Sequence, residues 1–114
     1  MAYINNLQQA KVLDLKKEVP VEEEQILSKT LVQREDLGVT IFSLDTDEEI
    51  PVHTAPGDAM VNVLSGEALI TIAEQEYLVK AGETIVMPAN IPHALYARKA
   101  FQMLLVVVKP EVDK

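Results

Sequence analysis

The chain of 114 residues contains no cysteine. A disulfide and a thiolate metal site are therefore both excluded. The amino-terminal stretch MAYINNLQQAKVLDLKK has no apolar signal core. Together with the absence of cysteine, this predicts a protein of the reducing cytoplasm.

Long apolar runs and positive charge are also scarce. The longest apolar run, MLLVVV, falls far short of the roughly 18 residues that a membrane span needs, so a membrane protein is not expected. Only 10 Lys and Arg stand against 18 Asp and Glu, which gives a net charge of -8. Such a surface repels phosphate backbones and disfavours nucleic-acid binding, but net charge does not identify a ligand.

The hydrophobic fraction of 48% is sufficient for one continuous core in one domain. We expect residues 1–24 to form a segment that packs on a barrel or at the edge of a dimer, and residues 25–114 to form the barrel. Within the first part, NNLQQAKVLDL suits either a helical turn or an edge strand. The following KKEVPVEEEQ suits a solvated connection, since consecutive glutamates on an extended chain point to opposite faces.

From Ile26 onward the chain consists of short β-rich runs separated by turn signals, which is typical of sandwiches and barrels. Alternation of polar and aliphatic residues is clearest in VNV and LITI, so these strands have one buried face. MLLVVV is apolar on both sides and is expected to be a central or covered strand. The predicted runs are ILSKTLVQ, GVTIFSL, EIPVHT, AMVNVLSG, EALITIA, EYLVKAG, ETIVMP, PHALYA and FQMLLVVV.

The only two histidines, His53 and His93, lie in the stretches HTAPGDAMVNVLSG and GETIVMPANIPHALYA. These stretches resemble the two motifs of the cupin family, specifically its small single-domain members. The first motif places a histidine pair, a glutamate and a glycine along a hairpin. The second is matched in order and spacing by Gly82, Pro88 and His93. The resemblance covers roughly residues 38–110 and implies a double-stranded β-helix barrel, a jelly-roll-like antiparallel sandwich.

In metal-binding cupins, two histidines and a glutamate of the first motif join a histidine of the second to hold iron, manganese, nickel or zinc. The resemblance makes His53 the first of these ligands and His93 the last. Ala55 occupies the second histidine position, Ala59 the glutamate position, and Ala97 replaces the final family asparagine. A metal site would need a third anchoring group, for which Asp58 is the nearest candidate, provided that a bulge turns it inward.

Each of these residues also has a structural interpretation. The histidines can be polar tips that are hydrogen-bonded to the backbone or to Tyr96, and Asp58 can accept hydrogen bonds within its own turn. Tyr96 becomes a pocket residue only if its strand twists, because it lies three residues after His93. Three methionines can shape an adaptable cavity or simply fill the core; they are Met60, Met87 and Met103.

Three functions remain open. The first is a barrel that binds a small organic ligand, with His53, His93, Met60, Met87, Tyr96 and Met103 around the pocket. The second is a metal-dependent oxygenase or isomerase that uses His53 and His93, with Asp58 or solvent completing the shell. The third is a structural or sensory module with a vestigial site. A homodimer is expected, since small cupins usually pair, and no nucleophile elbow or phosphate-binding glycine loop is present.

Overall fold

The structure, a computed structural model, describes residues 2–111. It contains one 3-10 helix at Leu15–Lys17 and seven strands: β1 (Ile26–Gln33), β2 (Leu37–Leu44), β3 (Glu49–His53), β4 (Asp58–Ile72), β5 (Gln75–Lys80), β6 (Thr84–Met87) and β7 (His93–Val108). The all-β prediction is confirmed. Over this part of the chain, no helix has the length and apolarity that crossing a membrane requires.

All strand pairs are antiparallel, and the two longest strands take part in both layers of the sandwich. The second half of β7 pairs with β2 and with the first half of β4, and β1 and β6 extend this layer at its two ends. The first half of β7 pairs with β3 and with the second half of β4, which in turn pairs with β5. MLLVVV therefore lies in a central strand, as expected.

One glycine marks the point at which the long strands pass from one layer to the other. The register between β4 and β7 shifts on both sides of Ser65 and again after Glu67. Gly66 has a φ of 77°, and a Cβ there would lie 1.9 Å from the carbonyl oxygen of Ala100. The predicted break between AMVNVLSG and EALITIA is thus a bulged bend within a single 15-residue strand. Similarly, PHALYA and FQMLLVVV form one strand, not two.

The main core lies between the two layers, where inward-facing side chains alternate with outward-facing ones along each strand. Leu44, Ile70, Phe101 and Met103 are fully buried there. On β7 the odd-numbered positions from Phe101 to Val107 face inward, so the strand supplies side chains to the core at every second residue.

A second, smaller core forms on the outer face of the β1–β2–β7 layer. Val19 from the amino-terminal segment packs there against Leu31 and Ile41. The KKEVPVEEEQ segment is therefore not wholly solvated, although its three consecutive glutamates, residues 22–24, are exposed. The stretch NNLQQAKVLDL forms neither a strand nor an α-helix, and Asn5 donates its backbone N–H to the carbonyl oxygen of Leu31 at 2.8 Å.

Gln102 holds the amino-terminal segment to the barrel. Its amide nitrogen donates to the carbonyl oxygens of Lys16 at 2.6 Å and Val19 at 2.9 Å. Its amide oxygen accepts from the hydroxyl of Ser65 at 2.7 Å. Both amide hydrogens and the oxygen are thereby used within the protein, which explains how a polar side chain is tolerated where only 7% of Gln102 is exposed.

Candidate functional site

The two histidines lie opposite each other at one end of the barrel. His53 is the last residue of β3 and His93 is the first residue of β7, and the two are direct partners in the antiparallel ladder. The register of the sheet thus brings together side chains that are 40 positions apart in sequence. His93 belongs to the inward-facing set of β7, whereas His53 lies at the open rim.

The imidazole rings approach edge to face. Their centroids are 4.3 Å apart with an interplanar angle of 72°, and the two Nε2 atoms are 3.1 Å apart. The Nε2 atoms therefore converge on one small region at the mouth of the barrel.

Backbone carbonyl groups fix the other nitrogen of each ring. Nδ1 of His53 lies 2.8 Å from the carbonyl oxygen of Pro51, and Nδ1 of His93 lies 3.1 Å from that of Ile91. Because a carbonyl oxygen can only accept, both Nδ1 atoms must carry the hydrogen. In the neutral rings both Nε2 atoms are then left as acceptors with free lone pairs.

Burial differs between the two rings. His93 is 3% exposed, whereas His53 is among the exposed residues. Burial lowers the pKa of His93 below its ordinary value of 6.5, and the neighbouring His53 lowers it further, against the opposing effect of the hydrogen bond to Ile91. The neutral form of the inner ring is therefore favoured near neutral pH.

A cavity of about 280 Å³ lies beneath the histidine pair, inside the barrel. Apart from the two imidazoles its walls are apolar, and they include the side chains of Ile26, Phe42, Ile50, Leu95, Leu105 and Val107. A more open groove of about 500 Å³ lies on the other side of His93, but His53 does not line it. Only the inner cavity is lined by both imidazoles, so we regard it as the candidate site.

Two of the three candidate methionines line this cavity. Met87 and Met103 face inward and are almost completely buried. Met60 lies on the outer face of β4 and is 37% exposed, because it alternates with the inward-facing Ala59 and Val61. The structure thus departs from the expectation for Met60.

Tyr96 also lies outside the cavity. Its hydroxyl donates to the Asp47 carboxylate, and this bond raises the pKa of Tyr96 above its ordinary value. Strand β7 remains regular between His93 and Tyr96, so the two side chains take opposite faces. The twist that would have brought Tyr96 into the pocket does not occur.

The residues present do not fit the family metal centre. Methyl groups of Ala55 and Ala59 stand in the cavity wall where the resemblance places a histidine and a glutamate. The Asp58 carboxylate accepts a hydrogen bond from the backbone N–H of Ala89 at 2.8 Å, and Asp58 does not line the cavity. Within residues 2–111, no group of three or more His, Cys, Asp or Glu side chains is placed to hold a metal ion. Two imidazoles without a carboxylate are a weak donor set.

Sequence reasoning missed most of the apolar wall. Phe42 and Ile50 come from β2 and β3, and Leu95, Leu105 and Val107 come from β7. The sequence signal that could have found the β7 residues is their period of two. Leu95 lies two residues after His93, and Leu105 and Val107 lie two and four residues after Met103.

The turn before His93 contains a residue with a positive φ. Asn90 occupies the position of a family glycine and has a φ of 63°, a conformation that asparagine tolerates better than most residues. Its backbone N–H donates to the carbonyl oxygen of Ala55 at 2.8 Å. This bond ties the loop that leads into β7 to the loop that follows His53.

Comparison with known proteins points to the family that the two motifs resemble. The family model for the cupin domain matches residues 40–109. A conserved protein of unknown function from Streptococcus pyogenes is 66% identical over 98% of both chains, with a TM-score of 0.97. A cupin superfamily protein from Desulfitobacterium hafniense is 28% identical, over 96% of this chain and 100% of that one, with a TM-score of 0.91.

A further structure covers a longer relative. The Cupin 2 conserved barrel domain protein from Leptotrichia buccalis is 44% identical over 85% of this chain and 47% of that one, with a TM-score of 0.83. None of the curated proteins matches the chain. The family match, the sandwich topology and the motif positions lead to one conclusion: this chain belongs to the cupin family.

Proposed function

We propose that this cupin is a small-molecule-binding barrel whose cavity holds the apolar body of an organic ligand while His53 and His93 orient its polar end. The observation that carries the proposal is the apolar cavity of about 280 Å³ beneath the convergent imidazoles. A pocket with apolar walls and a few convergent polar groups is the usual form of a small-molecule site. Catalysis is not required.

The composition of the wall supports binding rather than metal chemistry. The positions at which the family motif supplies two further ligands are occupied by Ala55 and Ala59. Their methyl groups leave room beside the imidazoles and add apolar surface, and apolar surface favours a ligand by about 25 cal/mol for each Å² removed from water. A metal-dependent reaction would need a third anchoring group that this wall does not offer.

The binding test uses the methionine methyl groups as reporters inside and outside the cavity. Met87 and Met103 line the cavity, whereas Met60 lies on the outer face of the same barrel. In protein labelled with ¹³C at the methionine methyls, titration with toluene, phenol and anisole is expected to shift the Met87 and Met103 signals saturably. The Met60 signal is expected to stay in place. Failure of every probe to shift either cavity methyl would overturn the proposal.

A matched pair of variants locates the binding on one face of β4. Ala59 faces the cavity, and Met60 beside it faces outward. Ala59→Leu fills cavity volume and is expected to weaken probe binding at least tenfold, whereas Met60→Leu leaves it unchanged. Equal affinity in both variants would show that the probes bind elsewhere. Circular dichroism and the thermal midpoint establish that each variant is folded.

A further inference from the structure

We infer that the polar end of the ligand is a hydroxyl group on a small apolar body. This hydroxyl donates a hydrogen bond that both Nε2 atoms accept. This inference rests on the proposed function and names the chemical class of the ligand. It follows from the hydrogen-bonding state of the histidine pair and from the composition of the cavity wall.

The protein presents hydrogen-bond acceptors to the cavity, but no side-chain donors. The carbonyl oxygens of Pro51 and Ile91 take the Nδ1 hydrogens of His53 and His93, at 2.8 and 3.1 Å. Each neutral ring then offers the cavity an acceptor and no donor. Among the residues that line the cavity, the two histidines are the only ones with polar side chains. The wall therefore accepts hydrogen bonds but does not donate them from side chains.

The contact between the two rings lacks a hydrogen. Two acceptor nitrogens at 3.1 Å cannot satisfy each other, because neither carries a hydrogen in these tautomers. Protonation of the inner ring would supply the missing hydrogen, but His93 is buried and no carboxylate lines the cavity to balance its charge. A hydroxyl that lies beside both Nε2 atoms supplies the hydrogen that the pair lacks, shared between the two lone pairs, and adds no net charge to an apolar site.

Ligands that end in a hydrogen-bond acceptor do not suit the pair of Nε2 atoms. A ketone or an ether would set its lone pairs against the two Nε2 lone pairs, and it could not reproduce the hydrogen bonds that a water molecule would donate to them. Displacing an ordered water by a group that cannot reproduce its bonds lowers affinity. The site thus distinguishes an alcohol or a phenol from the corresponding ether or ketone.

The size of the cavity limits the rest of the molecule. At about 30 Å³ for each water-sized unit, the cavity of about 280 Å³ accommodates roughly nine non-hydrogen atoms. Met87 and Met103 are flexible and can adapt to the outline of a ring or of a branched chain. A phenol, or an alicyclic alcohol of similar size, fits these limits.

The test compares three probes of nearly equal shape. Phenol has the hydroxyl donor, anisole retains the oxygen but has no donor, and toluene has neither. We expect phenol to bind about tenfold more tightly than anisole and toluene, as measured by titration of the Met87 and Met103 methyl signals. In ¹⁵N spectra of the histidine rings, phenol is expected to move both Nε2 signals in the direction of hydrogen-bond formation, and toluene is expected to leave them in place.

The outcomes separate the inference from the proposed function. If toluene and anisole bind as tightly as phenol, the cavity binds organic molecules but the inference about the donor is wrong. If none of the three binds, the proposed function itself is wrong. His53→Phe is the variant least expected to disturb folding, because His53 lies at the exposed rim. It is expected to reduce the preference for phenol over anisole several-fold while toluene still binds, and an unchanged preference would contradict the role of the pair.

Discussion

Two polar sites on the barrel show opposite hydrogen-bonding arrangements. At the outer core, Gln102 has two donor hydrogens and an oxygen, and the carbonyls of Lys16 and Val19 and the hydroxyl of Ser65 satisfy them. At the mouth, His53 and His93 satisfy their Nδ1 hydrogens within the protein but turn two acceptor nitrogens toward each other. The first arrangement is complete without any other molecule, whereas the second lacks a hydrogen.

This difference separates a structural polar group from one that is available to a ligand. A buried side chain whose hydrogen bonds are all made within the protein stabilises the fold, and its loss leaves unpaired partners. A convergent pair with unused acceptors adds little to folding and is open to another molecule. Substitutions at Gln102 should therefore act on stability, and substitutions at the mouth should act on binding.

The largest expected effect is the loss of the Gln102 contacts. Gln102→Met keeps the size of the side chain but leaves the carbonyl oxygens of Lys16 and Val19 without their donor. We expect the free energy of unfolding to fall by about 2–3 kcal/mol. Urea denaturation of this variant and of the exposed Gln75→Met control gives the measurement. Equal midpoints for the two variants would show that the amino-terminal segment is not held by Gln102.

The second effect is a pH dependence at the mouth. Because burial lowers the pKa of His93 in the folded protein, the unfolded chain takes up this proton first as the pH falls. The stability associated with the neutral ring is therefore present above pH 6.5 and is lost as the pH falls from 6.5 toward the folded pKa. The slope for one group is at most about 1.4 kcal/mol per pH unit.

Denaturation midpoints between pH 8 and pH 5 test this dependence. The wild-type midpoint should decline below about pH 6.5, and His93→Phe should reduce the decline. If His93→Phe shows the same decline as the wild type, other groups are responsible for it.

The third effect concerns the hairpin beside the mouth. The β4–β5 turn consists of Ala73 and Glu74, whose φ values are 54° and 108°. Such a turn favours Asn-Gly, since residues with a Cβ are strained at positive φ. The double substitution Ala73→Asn, Glu74→Gly is expected to stabilise the protein by about 1 kcal/mol. A lower thermal midpoint in the double variant would show that the present turn residues make contacts that outweigh the strain.

The smallest expected effect is that of added metal. Zinc, iron, manganese and nickel ions should leave the thermal midpoint unchanged, because a ligand raises the midpoint only when it binds the folded state preferentially. Elemental analysis of protein purified without chelator is the companion measurement. Stoichiometric metal, together with a rise in midpoint that His93→Phe abolishes, would show that two imidazoles suffice to hold a metal ion. The unused Nε2 atoms would then be metal ligands, and the contrast with the fully hydrogen-bonded Gln102 would be lost.

The fold could be predicted from the sequence because its signals are local. Turn residues delimit β1, β2, β3, β5 and β6, and the positive φ of Asn90 follows from its motif position. The sequence pattern divides each of the long strands β4 and β7 in two. In β4 the reason is that Gly66 has the same local signature in a bulge as in a turn. Only the close approach of the Ala100 carbonyl distinguishes the two cases, and that contact is 34 residues away along the chain.

The sequence predicts the polar end of the site but not most of its apolar wall. His53 and His93 carry a motif signal, and Met87 and Met103 follow the inward period of their strands. Residue type alone suggests a pocket role for Met60 and Tyr96, whereas the alternation of side chains along their strands puts both on the outer face. The tautomer of each histidine depends on the carbonyls of Pro51 and Ile91, and such geometry has no counterpart in the sequence pattern.

The most direct measurement is a crystal structure of the protein soaked with phenol. We expect the phenol ring in the cavity against Met87 and Met103, with its oxygen within hydrogen-bonding distance of Nε2 of both His53 and His93. An interior filled by side chains, or phenol bound only on the outer surface while the two imidazoles remain in contact, would contradict this expectation.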